Sequence, residues 1–161
     1  MTQLAALCLG AAGSAPSVDA LLARRLTHEA TVQVVAELES RAMGAPRDAK
    51  TWAALLQAEH YVAIHYLEGD EAEQRLEASL QRGLNAIAAV TGLRHESLHA
   101  LVHDARDIPK EAAELLYWTA VGYGRLIPTR SIFERPRAAT TFYRALLRVT
   151  SMDETVFHGA A

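Results

Sequence analysis

Apolar residues recur along most of the chain at spacings of three and four, and no segment alternates with period two for long, so the pattern predicts helices and no strands. Pro16, Pro46, Pro109, Pro128 and Pro136, with a few glycine turns, cut the chain into helix-sized lengths. Ser17 or Asp19 can cap a first helix that runs to about Met43, where Gly44, Ala45 and Pro46 stop it. Asp48 opens a second, carried by Trp52, Leu55, Leu56, Val62 and Ile64 and ending at Gly69. Asp70 can cap a third, through Leu76, Leu80, Leu84 and Ile87 to Gly92, whose apolar side chains fall on one stripe. A short fourth helix covers about Arg94 to Ala105. A fifth begins at Pro109, tolerated in a first turn because its missing N–H would have no partner there, and runs to Ile127. A sixth follows the Pro128 to Pro136 connection and reaches about Ser151. The expected fold is all-α, with about six helices.

An internal repeat organises these helices. At an offset of about 60 residues Leu55 and Leu56 fall on Leu115 and Leu116, and Leu67 falls on Ile127. At an offset of 62, Arg82, Gly83 and Leu84 fall on Arg144, Ala145 and Leu146. Hairpins that cannot bury their apolar faces alone, and stack to do so, predict an α-solenoid; a generic helical bundle is the alternative. The second unit, with Trp118, Val121 and Gly122 on one helix and Ala138, Phe142 and Ala145 on the next, resembles the tetratricopeptide pattern. Gly122 and Gly124 each cost roughly 1 kcal/mol relative to alanine inside a helix, and close approach of a neighbouring helix or a ligand is the expected compensation.

Composition narrows the function classes. The chain has 161 residues, half of them hydrophobic, which suits one compact domain. Its 16 Lys and Arg against 19 Asp and Glu give a net charge of -3, which argues against a broadly basic surface for nucleic acid or anionic lipid. Cys8 is the single cysteine, so neither an internal disulfide nor a cysteine metal cluster can form. No run of 18 apolar residues occurs, so no membrane span is expected. Leu4 to Ala12 form a short apolar block followed by Gly13, Ser14 and Ala15, without a basic leader, and Leu7 stands where a lipoprotein signal wants a small residue before Cys8. Residues 1–16 are therefore expected to be a flexible tail or signal remnant, and 17–161 a single helical-repeat domain.

His95, Glu96, Ser97, Leu98 and His99 spell HExxH, in which histidines one helical turn apart bind zinc and the glutamate activates its water. At 100° per residue, however, His95, His99 and His103 form a stripe about a third of a turn from the apolar Leu93, Leu98, Leu101, Val102 and Ala105, outside any cleft. The expectation is no metal and no catalytic residue, with a small zinc-dependent hydrolase as the enzymatic alternative. His60 and His65, with Tyr61 and Tyr66, are five residues apart and do not converge on one ion; they read as partly buried residues with hydrogen-bonded rings. No Gly-rich phosphate loop, GxSxG elbow or Cys/His nucleophile pair is present, and no cofactor is expected.

The run from Leu115 through Tyr117, Trp118, Gly122, Tyr123 and Gly124 to Ile127 is similar to the characteristic segment of a known family. Leu146 to Val149 with Met152, Asp153, Glu154, Phe157, His158 and Gly159 resembles its next landmark, and Leu67 to Asp70 with Gln81 to Leu84 its upstream turn and helix. The family is the T component of tetratricopeptide-associated TRAP transporters, TatT. The resemblance spans about residues 50 to 161. It implies a periplasmic, usually lipid-anchored, all-helical protein without catalysis of its own. Such proteins act beside the periplasmic substrate-binding protein of a TRAP transporter, handle small organic ligands and assemble into oligomers. Family chains carry a lipobox and continue past the Asp–aromatic–Gly landmark, so beside them this chain reads as shortened at its C-terminus. A general tetratricopeptide-like interaction scaffold in the cytoplasm is the alternative. In a solenoid the first helix of each hairpin lines the binding groove. The face away from Trp118 and Gly122 would supply Leu116, Thr119, Tyr123 and Leu126, and its counterpart Leu56, Glu59, Ala63 and Tyr66, unless these simply pack hairpin on hairpin.

Overall fold

The computed structural model of the chain describes residues 16–24, 27–104 and 106–157. Residues 1–15 of the expected N-terminal tail, Ala105 and the end of the Asp–aromatic–Gly landmark lie outside them. The described residues form seven α-helices and no strand: α1 (Val18–Leu22), α2 (His28–Gly44), α3 (Ala49–His65), α4 (Gly69–Thr91), α5 (Leu98–His103), α6 (Ala113–Arg125) and α7 (Arg135–Met152). The all-α expectation holds, with one helix more than expected.

Local chemistry explains the boundaries. Ser17 caps α1 by accepting from the Ala20 N–H, and Thr27 caps α2 by accepting from the Ala30 N–H. The second cap divides what the apolar pattern predicts as one helix to Met43. Asp48 caps α3 as expected, its Oδ1 accepting from the N–H groups of Lys50 and Thr51. This helix ends at His65, one turn before the predicted Gly69, which instead begins α4. Asp70 is not a cap: Glu68 holds that position without a side-chain bond, and Asp70 and Glu71 face the partial positive charge of the first turn. Gly92 ends α4 in the left-handed region at φ 76°, donating to Ala88 O at 2.8 Å. The fifth predicted helix divides into a 3₁₀ turn over Lys110–Ala112, α6, and a second turn over Ile127–Thr129.

Helix α3 sits at the centre, packed against α2, α4 and α6; α6 in turn packs against α3, α4 and α7, and α5 lies on α7. Leu55, Leu56, Leu115 and Leu116, paired by the repeat, are all fully buried where these helices meet. Each contributes roughly 2 kcal/mol of apolar burial. The repeat is visible in the elements as well: at the same offsets α3 and α4 overlie α6 and α7. Gly122 is explained by α3, because a Cβ there would stand 2.6 Å from His60 Nε2. Gly83 of α4 likewise admits the Thr119 side chain of α6.

Candidate functional site

The eight residues expected to line a groove do not form an open surface. Leu56, Glu59, Ala63, Leu116, Thr119 and Leu126 are buried, and Tyr66 and Tyr123 are half-buried. The reason is α4, which packs against both α3 and α6 and covers the face these residues share. Thr119 shows the closure: its hydroxyl bonds back to Leu115 O at 2.7 Å while its side chain meets Gly83. Tyr66 instead stacks on His28, with ring centroids 4.7 Å apart. The hairpin-packing alternative describes these positions.

The open surface of α3 and α6 lies on the Trp118 side. A cleft of about 260 Å³ runs between Gln57, His60, Tyr61 and Ile64 on α3 and Trp118, Val121 and Arg125 on α6. Gln57 and Trp118 also border an adjoining cleft of about 280 Å³, closed by Glu114, Tyr117 and the segment carrying Asp153, Thr155 and Val156. Trp118, which carries the tetratricopeptide-like pattern, is thus a half-buried wall shared by both clefts. A signal for this face exists in the sequence. Glu114, Trp118, Val121 and Arg125 are spaced four, three and four apart with a charge at either end, whereas the stripe facing α4 is uncharged on α6.

Three titratable groups around α3 and α6 have shifted affinities for protons. His60 is 2% exposed, with both ring nitrogens lacking a hydrogen-bond partner, against the expectation of bonded rings. Burial, helped by the Arg125 charge, pushes its pKa down to about 4, so the ring is neutral at pH 7. It lies beneath Trp118, centroids 6.0 Å apart. Burial raises the carboxyl of Glu114, opposed by Lys50. It also raises that of Glu59, on the closed face, where the Arg82 and Arg75 guanidinium groups oppose it. Glu59 is paired with Arg82, which also reaches Glu39 at 3.1 Å.

The HESLH segment lacks the geometry that zinc chemistry requires. Ser97 accepts from the Ala100 N–H and caps α5, so His95 and Glu96 precede the helix that the pattern places from Arg94. Their partners diverge: His95 Nε2 lies 3.0 Å from Asp104, His99 Nδ1 3.1 Å from Thr141 Oγ1, and Glu96 is exposed. Among the described residues no group of three His, Cys, Asp or Glu side chains converges to hold a metal ion. Asp104 is occupied otherwise, its carboxyl held far below the usual range first by hydrogen bonds from Arg106. Arg148 of α7 then anchors the end of α5, donating to the carbonyls of Leu101 and Asp104 at 2.8 Å. No described helix is long and apolar enough to cross a membrane. Comparison with protein-family models, with curated proteins and with solved structures found no match.

Proposed function

We propose that the chain is a non-catalytic helical-repeat accessory protein, its α3–α4 and α6–α7 hairpins stacked in the tetratricopeptide manner and its α3/α6 face forming the binding surface. The observation that carries this reading is the pair of adjoining clefts on either side of Gln57 and Trp118. Trp118, Tyr61, Tyr117, Ile64, Val121 and Val156 give these clefts apolar walls, set among the polar Gln57 and Thr155 and the charged Arg125, Glu114 and Asp153, a mixture suited to a planar group with polar ends. His60 is held neutral beneath them, and among the described residues neither of its ring nitrogens has a hydrogen-bond partner.

In the form implied by the TatT resemblance, the partner is the periplasmic substrate-binding protein of a TRAP transporter, and a small organic ligand enters the same cleft. Titration calorimetry of the chain against such a receptor tests it. Binding is expected to weaken about 30-fold or more in Trp118→Ala, as for a buried aromatic anchor. Heat changes absent at tens of micromolar, or binding indifferent to Trp118, would refute the reading.

A further inference from the structure

The net charge of -3 conceals a local excess of the opposite sign. Between Gly124 and Met152 the chain carries six arginines (Arg125, Arg130, Arg135, Arg137, Arg144 and Arg148) and one carboxylate, Glu134. Among the described residues none of the six forms an ion pair. Arg135 donates to the carbonyls of Pro128 and Arg130, Arg148 to those near the end of α5, and Arg144 contacts the His103 ring. A carbonyl or a ring nitrogen accepts a hydrogen bond without cancelling the charge, so the positive potential remains.

Part of this excess converges on a cavity. A cleft of about 240 Å³ is lined by Ser97, His99, Arg130 and Arg137, with Glu134 at its side. The Arg130 guanidinium lies over the Tyr123 ring, 5.5 Å from its centroid, and its Nε is buried without a hydrogen-bond partner. Glu134 is engaged by Ser131, whose hydroxyl donates to it at 2.8 Å and whose N–H donates at 3.3 Å. His99 is held below its ordinary pKa by burial and then by Arg137, His103 and Arg144, as expected for a base in a positive field.

Between Arg130 and Glu134, on the connection leading into α7, Ile132 is 71% exposed and its neighbour Phe133 is 92% exposed. A single exposed apolar side chain needs no explanation. Two large adjacent ones, with Arg130 two residues before and Arg135 two residues after them and a cleft carrying Arg130 and Arg137 alongside, have the composition of an interfacial anchor even with Glu134 next to Phe133.

We propose that this end of the molecule docks on an anionic phospholipid membrane, Ile132 and Phe133 entering the headgroup–acyl boundary and the Arg130/Arg137 cleft receiving a phosphodiester headgroup. The proposal is independent of the α3/α6 clefts. A bilayer is favoured over an acidic protein because the two apolar side chains project outward; a deformable apolar medium accepts such a tip, whereas a rigid partner must present a matching pocket.

Co-sedimentation of the full chain with phosphatidylcholine vesicles, and with mixed phosphatidylcholine and phosphatidylglycerol vesicles, tests it. Retention is expected on the mixed vesicles alone and is weakened by salt. It is expected to fall roughly tenfold or more in Ile132→Ser/Phe133→Ser and in Arg130→Gln/Arg137→Gln. Phe133→Ser and Arg137→Gln alone, both at exposed positions, should move in the same direction with unchanged circular dichroism. Absence of retention, or retention indifferent to Phe133→Ser, overturns the proposal. So does inorganic phosphate that raises the His99 pKa by NMR without any vesicle binding, which would assign the cleft to a soluble anion. A polyglutamate peptide that binds where the vesicles do not would assign the surface to an acidic protein.

Discussion

The hairpins α3–α4 and α6–α7 share the leucine pairs Leu55/Leu115 and Leu56/Leu116, yet arginines that match in the sequence, Arg82 and Arg144, have opposite roles. Arg82 of α4 is drawn inward to the buried Glu59 and outward to Glu39 of α2. Its counterpart Arg144, at an offset of 62, has the His103 ring as its partner and stands exposed. The difference follows from neighbours. Helix α3 is enclosed by α2, α4 and α6, so its buried Glu59 requires cationic partners in a poorly solvated space. The second carries α5 and the final 3₁₀ turn on α7, leaving much of that helix to water, and its arginines keep their charge without carboxylates. The arginine of α4 thus serves as an internal brace and that of α7 as part of a charged surface.

The sharpest test of the contrast removes the brace. Glu59→Gln removes the buried partner of Arg82 and Arg75, leaving Arg82 its exposed Glu39, and should destabilise the fold by about 1 to 3 kcal/mol in urea titration, as when a buried hydrogen-bonding partner is lost. A cost below 1 kcal/mol would show that the first hairpin is no more dependent on its charges than the second.

Lowering the pH probes the same interior through His60. In the unfolded chain this ring takes up a proton below its ordinary pKa of 6.5, whereas in the folded chain it does so only near 4. The unfolded state therefore binds more protons between these values, and the His60 contribution to stability falls as pH drops from about 6.5 to 4. The loss should approach about 3 kcal/mol and be absent from His60→Gln, as measured by denaturant midpoints across that range.

Gly122→Ala should cost about 1 to 3 kcal/mol, because the new methyl meets the His60 ring. Most of that penalty should disappear in the His60→Ala background, where a double-mutant cycle reads the coupling directly. The smallest effect is expected on the second hairpin: Arg144→Ala should stay within about 0.5 kcal/mol of the parent, since no carboxylate depends on it. A larger loss would remove the distinction between the two copies.

Much of the architecture was readable because its signals are local. Asp48 beside its own N–H partners, Ser17 before Val18 and Gly92 after Thr91 mark helix ends within a few residues. The paired leucines at an offset of 60 identify helices that share one core. The failures were of a different kind. Thr27 divided a continuous apolar pattern because a cap can compete with propagation at little cost, and Ser97 did the same inside HESLH. The candidate groove residues fall on a covered face for a further reason. Trp118 has the size and apolar character of a core residue, and nothing within its own helix shows whether another helix covers it.

The residues alone determined that the chain is helical, where several helices begin and end, and which positions the repeat makes equivalent. Hydrogen bonding at caps and a period near 3.6 are properties of a single segment. Only the packed molecule decided that α4 covers the Leu56, Glu59, Leu116 and Thr119 face, leaving Gln57 and Trp118 on the open side. It alone also brought His99 and Arg137 together from different helices. Both sides of α3 are apolar enough to be buried, so the choice rests on how well whole helices fit together, through contacts between residues far apart in the chain.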